Sequence, residues 1–369
     1  MPFPSSEIAI LNVGGMQFRD WESVSVRWAL ETKESPAYTF RFTCSEAIPI
    51  PAAYAGLQIR PGMQCSVTLA GNLAITGFVT TRQVFYDANR HYVEIQGATQ
   101  ALSMLTNSTV TPGMEYKGKP IPYIANDIVK QSGNSLVVEG GSLPSYTPAR
   151  FGIPFGESNH DSIERLLKPF SIVMTSNPQG NVVAIAGPTG GGPSVIEGVN
   201  ILEGRELIQN LSYGKDSPTA TQQTGSKDTG WGAAVSSIPF ASKALSNQGI
   251  NWNAMMGVVA EVPGIKGIIP QGRGAMENAM QSADQITVWA TVYGWTPGAD
   301  KGRGGGPLWP QPGQQVFVKS PSLIMNESLT VKSVTFMQDN QIGTRTILEL
   351  CNTAALGEGV PQAASGSGG

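Results

Sequence analysis

The stretch that decides the fold runs from Ile286 to Leu350 and begins Ile286-Thr-Val-Trp-Ala-Thr-Val-Tyr-Gly-Trp295. After a Gly/Pro loop that holds Leu308-Trp309, three further runs follow at residues 315–318, 329–336 and 344–350. The runs alternate or nearly alternate, are rich in β-branched and aromatic residues, and are bounded by Gly, Pro, Asn or Asp. The pattern predicts an antiparallel sheet of four strands, and nothing in it looks catalytic.

The third run changes phase in its middle. Leu329 and Val331 share one face of a regular strand, whereas Val334 and Phe336 share the other. An inserted residue resolves such a conflict, so we predict a β-bulge at Lys332-Ser333. The result is a curled sheet or small barrel, whose job we interpret as holding other protein.

Composition favours an assembly component. The 369 residues allow two or three domains, yet only 14% are charged while 40% are apolar. Soluble domains usually carry roughly 25% charged residues. A surface this poor in charge is either coated with uncharged polar side chains or buried against neighbours, and the second reading favours an assembly. The net charge of −3 argues against a nucleic-acid binder that relies on a basic surface.

The cysteines and the amino terminus bear on the place of synthesis. Cys44, Cys65 and Cys351 lack C-x-x-C spacing, so they signal neither a disulfide framework nor a zinc site. The amino terminus lacks a basic region followed by an apolar core, and no run of eighteen apolar residues occurs. We expect a protein that is made in a reducing cytoplasm and is soluble and unexported.

Short alternating strands fill the first hundred residues. Val24–Leu30 and Tyr38–Cys44 alternate cleanly, Arg60–Met63 reads as a turn, and Gly71-Asn72 suits a hairpin. About six such strands predict a small barrel or a sandwich.

The next region changes character after Leu105. Apolar residues between Ile121 and Val129 fall at helical spacing and stop near Ser132-Gly133. A second helix is predicted from Ser158, with Asp161 completing a variant of the capping box, and a hairpin follows around residues 177–180. We predict an α+β module.

Glycine-rich sequence then separates the remaining strands. Gly187–Pro193 reads as a linker and hinge, and strand-like patterning resumes at Ile201. Gly225–Gly274 is rich in Gly, Ser, Asn and Ala, which predicts an insertion of low internal order or one that orders only against a partner. A short helix is predicted over residues 276–283, and the tail is expected to be disordered.

Few residues suggest chemistry. His91 and His160 read as exposed loop or cap residues, and no metal or cofactor site is indicated. The glycine-rich stretches lack the G-K-[ST] of a phosphate-binding loop, and no G-x-S-x-G elbow is present. We therefore predict no catalytic, metal-binding or cofactor-binding residues.

Two other functions stay open from the residues. Glu157 and Glu164 form a carboxylate pair of the kind that a cell-wall glycan hydrolase needs, although an acidic helix start that is favourable against the helix dipole is the simpler explanation. Tryptophans could line the surface of a β-sandwich carbohydrate-binding module, although core and interface packing explains them too. The residues predicted to serve packing or an interface are Trp28, Phe40, Phe42, Trp289, Trp295, Trp309 and Phe336.

Several stretches together resemble one family, the baseplate or tail hub proteins of contractile-tailed phages, most closely the Mu type. The matching stretches are Pro61–Leu69, Gly77–Val79, Tyr86–Gly97, Ala101–Leu105, Gly156–Leu167, residues 172–185, Thr291–Trp295, Leu308-Trp309, Val331–Phe336 and Gly343–Leu350. No single motif is highly specific, but their order and spacing are. The resemblance implies a structural virion protein of the tail baseplate and not an enzyme.

The resemblance also implies an architecture and partners. The fold class is mainly β with α+β modules, with two related small β-barrel domains plus an α+β domain and an inserted domain. The expected partners are two more copies in a homotrimeric, pseudo-sixfold ring, a central spike protein, the tail tube protein or its terminal adapter, the baseplate wedge and tape-measure proteins, and DNA in transit through the lumen. The boundaries are 1–105 for the first barrel, 106–190 for the α+β module, 191–225 with 286–356 for the second barrel, 226–285 for the insertion and 357–369 for the tail.

Overall fold

The computed structural model describes residues 7–30, 37–45, 59–87, 91–208, 219–223, 235–237, 257–260, 286–299 and 306–352. These residues are mainly β, as predicted. The strands of the first half are β1 (Ala9–Val13), β2 (Met16–Phe18), β3 (Ser23–Ala29), β4 (Thr39–Ser45), β5 (Gln64–Leu69), β6 (Asn72–Tyr86), β7 (His91–Thr99), β8 (Glu115–Lys117), β9 (Leu136–Glu139), β10 (Arg150–Gly152), β11 (Val173–Ser176) and β12 (Val182–Ile185). Those of the second half are β13 (Val195–Ile196), β14 (Ile201–Ile208), β15 (Thr219–Gln223), β16 (Val235–Ser237), β17 (Gly257–Ala260), β18 (Ile286–Tyr293), β19 (Gln315–Ser320), β20 (Met325–Asp339) and β21 (Gly343–Cys351).

The helices are α1 (Ser103–Thr106), α2 (Ile121–Gln131) and α3 (Asn159–Leu167). Both longer helices follow their sequence signals. The helix α2 ends at Gln131, followed by Ser132 and by Gly133 in the left-handed region (φ +72°). Its buried residues are Ile121, Ile124, Ala125, Ile128 and Val129. The Ser158 hydroxyl accepts a hydrogen bond from Asp161 N (3.0 Å) at the start of α3, as predicted.

One sheet of 13 strands organises the molecule. Its neighbours run in the order β14-β18-β21-β20-β3-β4-β7-β6-β5-β1-β2, with β19 on β20 and β13 on β19. All pairs are antiparallel except β13 with β19. The predicted antiparallel C-terminal strands are thus confirmed as β18 to β21.

The predicted bulge is also confirmed. The register of β20 against β21 shifts between Val331 and Ser333, which leaves Lys332 as the extra residue. Leu329, Val331, Val334 and Phe336 consequently all reach the buried core, although a regular strand would divide them between two faces.

The smaller units surround this sheet. A three-stranded sheet of β9, β11 and β12 packs with α2 and α3 around one apolar core, to which Ala98 and Ala101 of the first region contribute. A second three-stranded sheet consists of β15, β16 and β17, so part of the region predicted as an insertion forms strands. The predicted helix at 276–283 and the tail at 357–369 lie outside the described residues.

Two expectations need adjustment. The described strands of the main sheet follow an open path with a branch at β20, and within the described ranges no closed barrel is present. The stretch from Gly187 to Pro193, predicted as a linker, lies against β19, because Gly192 N donates to Gln315 O (2.6 Å). These backbone hydrogen bonds place it at the edge of the sheet.

The first prediction concerns the core between β3 and β20. The Phe336 ring is fully buried and meets the Trp28 ring edge to face at a centroid distance of 4.8 Å. We expect Phe336→Ala to lower the free energy of unfolding by about 3–5 kcal/mol through lost burial and a cavity. Phe317→Ala, at a ring that is 38% exposed, should cost less than about 1 kcal/mol. Chemical denaturation measures both, and equal losses would contradict the assignment of Phe336 to the core.

Candidate functional site

Two Pro-Gly turns with the same backbone hydrogen bond mark an internal repeat. In the first, Gly62 N donates to Val79 O (2.8 Å), and in the second Gly313 N donates to Val331 O (2.9 Å). Both glycines lie in the left-handed region, with φ of +90° and +88°. Each turn leads into a strand of six residues, β5 or β19.

The strands around these turns repeat in the same order. The first repeat is ordered β3-β4-β7-β6-β5-β1, and the second is ordered β14-β18-β21-β20-β19-β13. Each strand holds the same place along the chain within its own repeat. The one change in direction is β13, which pairs parallel to β19 whereas β1 pairs antiparallel to β5.

Bulges at matching places align the two repeats residue by residue. Both β6 and β20 have 15 residues, and both pair with a strand of nine. The register shifts between Val79 and Thr81 in β6, and between Val331 and Ser333 in β20. Thr80 therefore corresponds to Lys332.

The two repeats join through β3 and the second half of β20. Their antiparallel register places Val26 opposite Phe336 and Trp28 opposite Val334. The Trp28 indole also donates to Ala74 O (3.0 Å), so its polar atom is satisfied in the core. This junction makes one continuous sheet of the two repeats.

A buried carboxylate adds a second tie between the repeats. Glu7, just before β1, accepts hydrogen bonds from Tyr293 Oη (3.0 Å) and from Thr344 Oγ1 (2.7 Å) of the second repeat. The Glu7 carboxylate and partial burial together raise the pKa of Tyr293. Glu7 is thus held on β18 and β21.

The repeat leaves two edges without a strand partner among the described strands. Within one chain β3 covers the second half of β20, whereas β18 and β7 are the only partners among the described strands of their counterparts, β14 and the second half of β6. Both edges carry exposed apolar side chains, including Val84 (37%), Phe85 (43%) and Ile208 (59%). Exposed apolar edge strands are sites of pairing with other chains. We take these two edges as the candidate functional site, an assembly surface.

The residues singled out from the sequence lie mostly away from these edges. Trp289 is half-buried, and its ring lies 4.8 Å from the Arg205 guanidinium of β14. The side chains that the structure places in the buried core are Trp28, Phe40, Phe42, Trp295, Trp309 and Phe336. Buried indoles such as that of Trp309 offer no platform for a sugar.

The carboxylate pair considered for glycan hydrolysis is held by ion pairs. Glu157 binds Arg165 (2.7 Å) and accepts from the Ser162 hydroxyl (2.7 Å). Glu164 binds Lys168 (2.8 Å) one turn further along the chain. These contacts give both carboxylates structural roles at α3, which is the simpler of the two readings.

One cluster of potential metal ligands lies on the same helix. Ligand atoms of His160, Asp161 and Glu164 lie within 4.8 Å of one another. Acidic groups at a helix start are favourable against the helix dipole without an ion. The cluster therefore does not change the prediction that the chain holds no metal.

Comparison with known proteins gives the relationship. Residues 8–99 match the N-terminal domain family of the GpP-like Mu phage baseplate assembly protein. The baseplate hub protein gp44 of Escherichia phage Mu is 22% identical over 361 residues, covering 94% of this chain and 88% of that protein. The chain is a homologue of the Mu baseplate hub protein.

Solved structures agree with this relationship in fold. The 43 kDa tail protein of prophage MuSo2 from Shewanella oneidensis matches with a TM-score of 0.72 at 20% identity, over 96% of this chain and all (100%) of that one. An E. coli type VI secretion component, described as similar to the T4 phage tail proteins gp27 and gp5, matches with a TM-score of 0.55 at 11% identity, over 92% of this chain and 76% of that one.

These relatives decide two of the predictions. They are structural baseplate and tail proteins, so the predictions of a phage baseplate or tail component and of a non-enzyme are confirmed. In the described part of the chain, no helix is long and apolar enough to cross a membrane.

Sequence reasoning missed the two edges, although a signal existed. Pro61-Gly-Met-Gln64 and Pro312-Gly-Gln-Gln315 share three of four residues, and each precedes a strand, a hairpin and a long bulged strand. Comparing the halves of the chain for this turn would have revealed the repeat and, with it, the unmatched edges.

The second prediction concerns Glu94 of β7, which lies opposite Gln83 of the β6 edge. Burial alone would raise the pKa of the Glu94 carboxyl, but hydrogen bonds from Arg41 (2.5 Å) and Gln96 (2.6 Å) hold it below its usual value. A depressed folded-state pKa gives stability that is present above the unfolded value of about 4.3 and is lost as pH falls through the folded value.

We therefore expect Glu94→Gln to lower the free energy of unfolding by about 1 kcal/mol at pH 7, since exposed Arg41 is screened by solvent. The difference from the wild type should become smaller as the pH is lowered from 7 to 3, below the unfolded value of about 4.3. Denaturant titrations at pH 7 and pH 3 measure it, with exposed Glu22→Gln as the control. A difference that is constant with pH would remove the Arg41 ion pair as the cause.

Proposed function

We propose that three copies of the chain form a ring in the baseplate of a contractile phage tail. Two similar repeats per copy give six similar units, which suit a sixfold tail tube on one side and a threefold central spike on the other. The observation that carries the proposal is the repeated strand order of β3-β4-β7-β6-β5-β1 and β14-β18-β21-β20-β19-β13, aligned by bulges at Thr80 and Lys332.

In this proposal the two repeats are the tube-forming barrels. They correspond to residues 1–105 and to 191–225 with 286–356, except that β15 pairs with β16 and β17 of the insertion, and each completes its shell against its neighbours. The α+β module of 106–190 and the insertion of 226–285 lie outside the ring. The low charge content of 14% suits a chain whose surface is largely covered by other subunits.

The relationship to the Mu hub protein supports the partners. In the proposed ring the chain contacts the central spike, the tail tube protein or its terminal adapter, and the wedge and tape-measure proteins. DNA passes through its lumen, where a net charge of −3 per chain keeps a polyanion from binding tightly. The type VI component that is similar to gp27 and gp5 is consistent with the same architecture.

The third prediction tests the ring directly. Size-exclusion chromatography with light scattering should give a particle of three times the 39.0 kDa chain mass. Negative-stain images along the symmetry axis should show a ring with six similar lobes around an open centre. A stable monomer at high concentration, or a dimer, would contradict the proposal.

A further inference from the structure

We propose that the ring closes by strand pairing in a defined register, in which β14 of one copy pairs antiparallel with the second half of β6 of the next. The pairing rests on the proposed function for the existence of a ring. Its register does not, because it follows from the junction that β3 and β20 already make within one chain.

The bulge supplies the correspondence on the β6 side. Since Thr80 matches Lys332, the residues that follow match one by one, so Val84 of β6 takes the place of Phe336 in β20. The neighbouring strands agree with this alignment. Val84 pairs with Val93 of β7, Phe336 pairs with Thr346 of β21, and the side chains of Val93 and Thr346 are both buried.

The correspondence on the β14 side follows through β4 and β18. Gly97 of β7 and Leu350 of β21 occupy matching places, each opposite the last residue before the bulge. Gly97 pairs with Phe40, and Leu350 pairs with Val288. Phe40 in turn pairs with Val26 of β3, and Val288 pairs with Glu206 of β14. Glu206 therefore takes the place of Val26.

Together the two correspondences fix the register. Val26 lies opposite Phe336 in the junction within the chain, so Glu206 should lie opposite Val84 of the next copy. The same shift places Ile208 opposite Arg82, Leu207 opposite Gln83 and Arg205 opposite Phe85.

The chemistry of the two edges fits this register. Residues 80–86 of β6 are exposed, and so are Leu207 (36%) and Ile208 (59%) of β14, so pairing would cover apolar surface on both strands. The Glu206 carboxylate has one oxygen, Oε2, that is buried without a hydrogen-bond partner. In the proposed register Arg82 lies on the same face, diagonal to Glu206 at roughly 7–8 Å between Cα atoms, within reach of its long side chain.

A second copy is the occupant that these edges favour. Six strands separate β14 from β6 in the sheet of one chain, and each adds about 4.8 Å. The same chain would have to close its sheet on itself to join them, and the described strands follow an open path. Another copy brings the missing counterpart of each edge without any rearrangement.

The hydrogen bonds of the existing junction show where a disulfide would report the pairing. Leu30 N donates to Lys332 O (2.8 Å), so Leu30 and Lys332 form a hydrogen-bonded pair. From this pair onward, hydrogen-bonded and non-hydrogen-bonded pairs alternate along β3 and β20. Arg27 and Thr335 form one of the pairs without hydrogen bonds. At such pairs the Cα atoms lie about 4.5 Å apart, within the range that a disulfide spans.

The fourth prediction is a cross-link at the corresponding pair. Gln83→Cys combined with Leu207→Cys should give covalent dimers and trimers on a non-reducing gel after mild oxidation, with at least half of the chain cross-linked. Each single variant and the oxidised wild type should stay at the mass of one chain. Phe85→Cys combined with Arg205→Cys, two residues further along the same face, should give the same covalent dimers and trimers. This second pair replaces the first if the first disturbs folding.

The matched control combines Gln83→Cys with Ile208→Cys. A shift of one residue turns the second side chain to the opposite face, so this pair should cross-link at least tenfold less. Light scattering of the unoxidised variants separates the two levels of the proposal. If the protein is a trimer and the control pair cross-links as much as the test pairs, or neither test pair cross-links, the β14–β6 register is wrong. The proposal of a ring is then unaffected. A monomer overturns the ring and the pairing together.

Discussion

The structure depends on the edge-to-edge pairing of β3 with the second half of β20. One long strand serves both repeats, because the first half of β20 pairs with β19 and the second half with β3, while β21 follows it on the other side. The extra residue Lys332 keeps apolar side chains of both halves on the buried face. Trp28 and Phe336 then pack across the junction, so the two repeats share one apolar core.

Local signals carried much of the fold. The phase change between Val331 and Val334 was enough to predict the bulge, since side chains of a strand alternate strictly. The caps and apolar spacing of α2 and α3 likewise depend on neighbours within the helix. Such features follow from residues a few positions apart, and the sequence displays them directly.

The candidate site could not be read in the same way. Strand β14 reads Ile-Leu-Glu-Gly-Arg-Glu-Leu-Ile, and this run of residues does not indicate which of its two edges is paired. Which strand covers which edge is decided by pairings between distant residues, such as Val26 with Phe336. For the same reason the aromatic side chains chosen from the sequence could not be divided between core and edge until their pairings were known.

The divergence of the two repeats explains how near-sixfold and threefold contacts can coexist in the proposed ring. The connection between β3 and β4 is short, whereas the matching connection from β14 to β18 spans residues 209–285 and holds β15, β16 and β17. The α+β elements lie between the first repeat and the second. Additions therefore fall outside the repeated strands, which keep their order, bulge and Pro-Gly turn. In the proposed ring, a partner that contacts the repeated strands alone meets six similar units. A partner that also contacts the additions meets three.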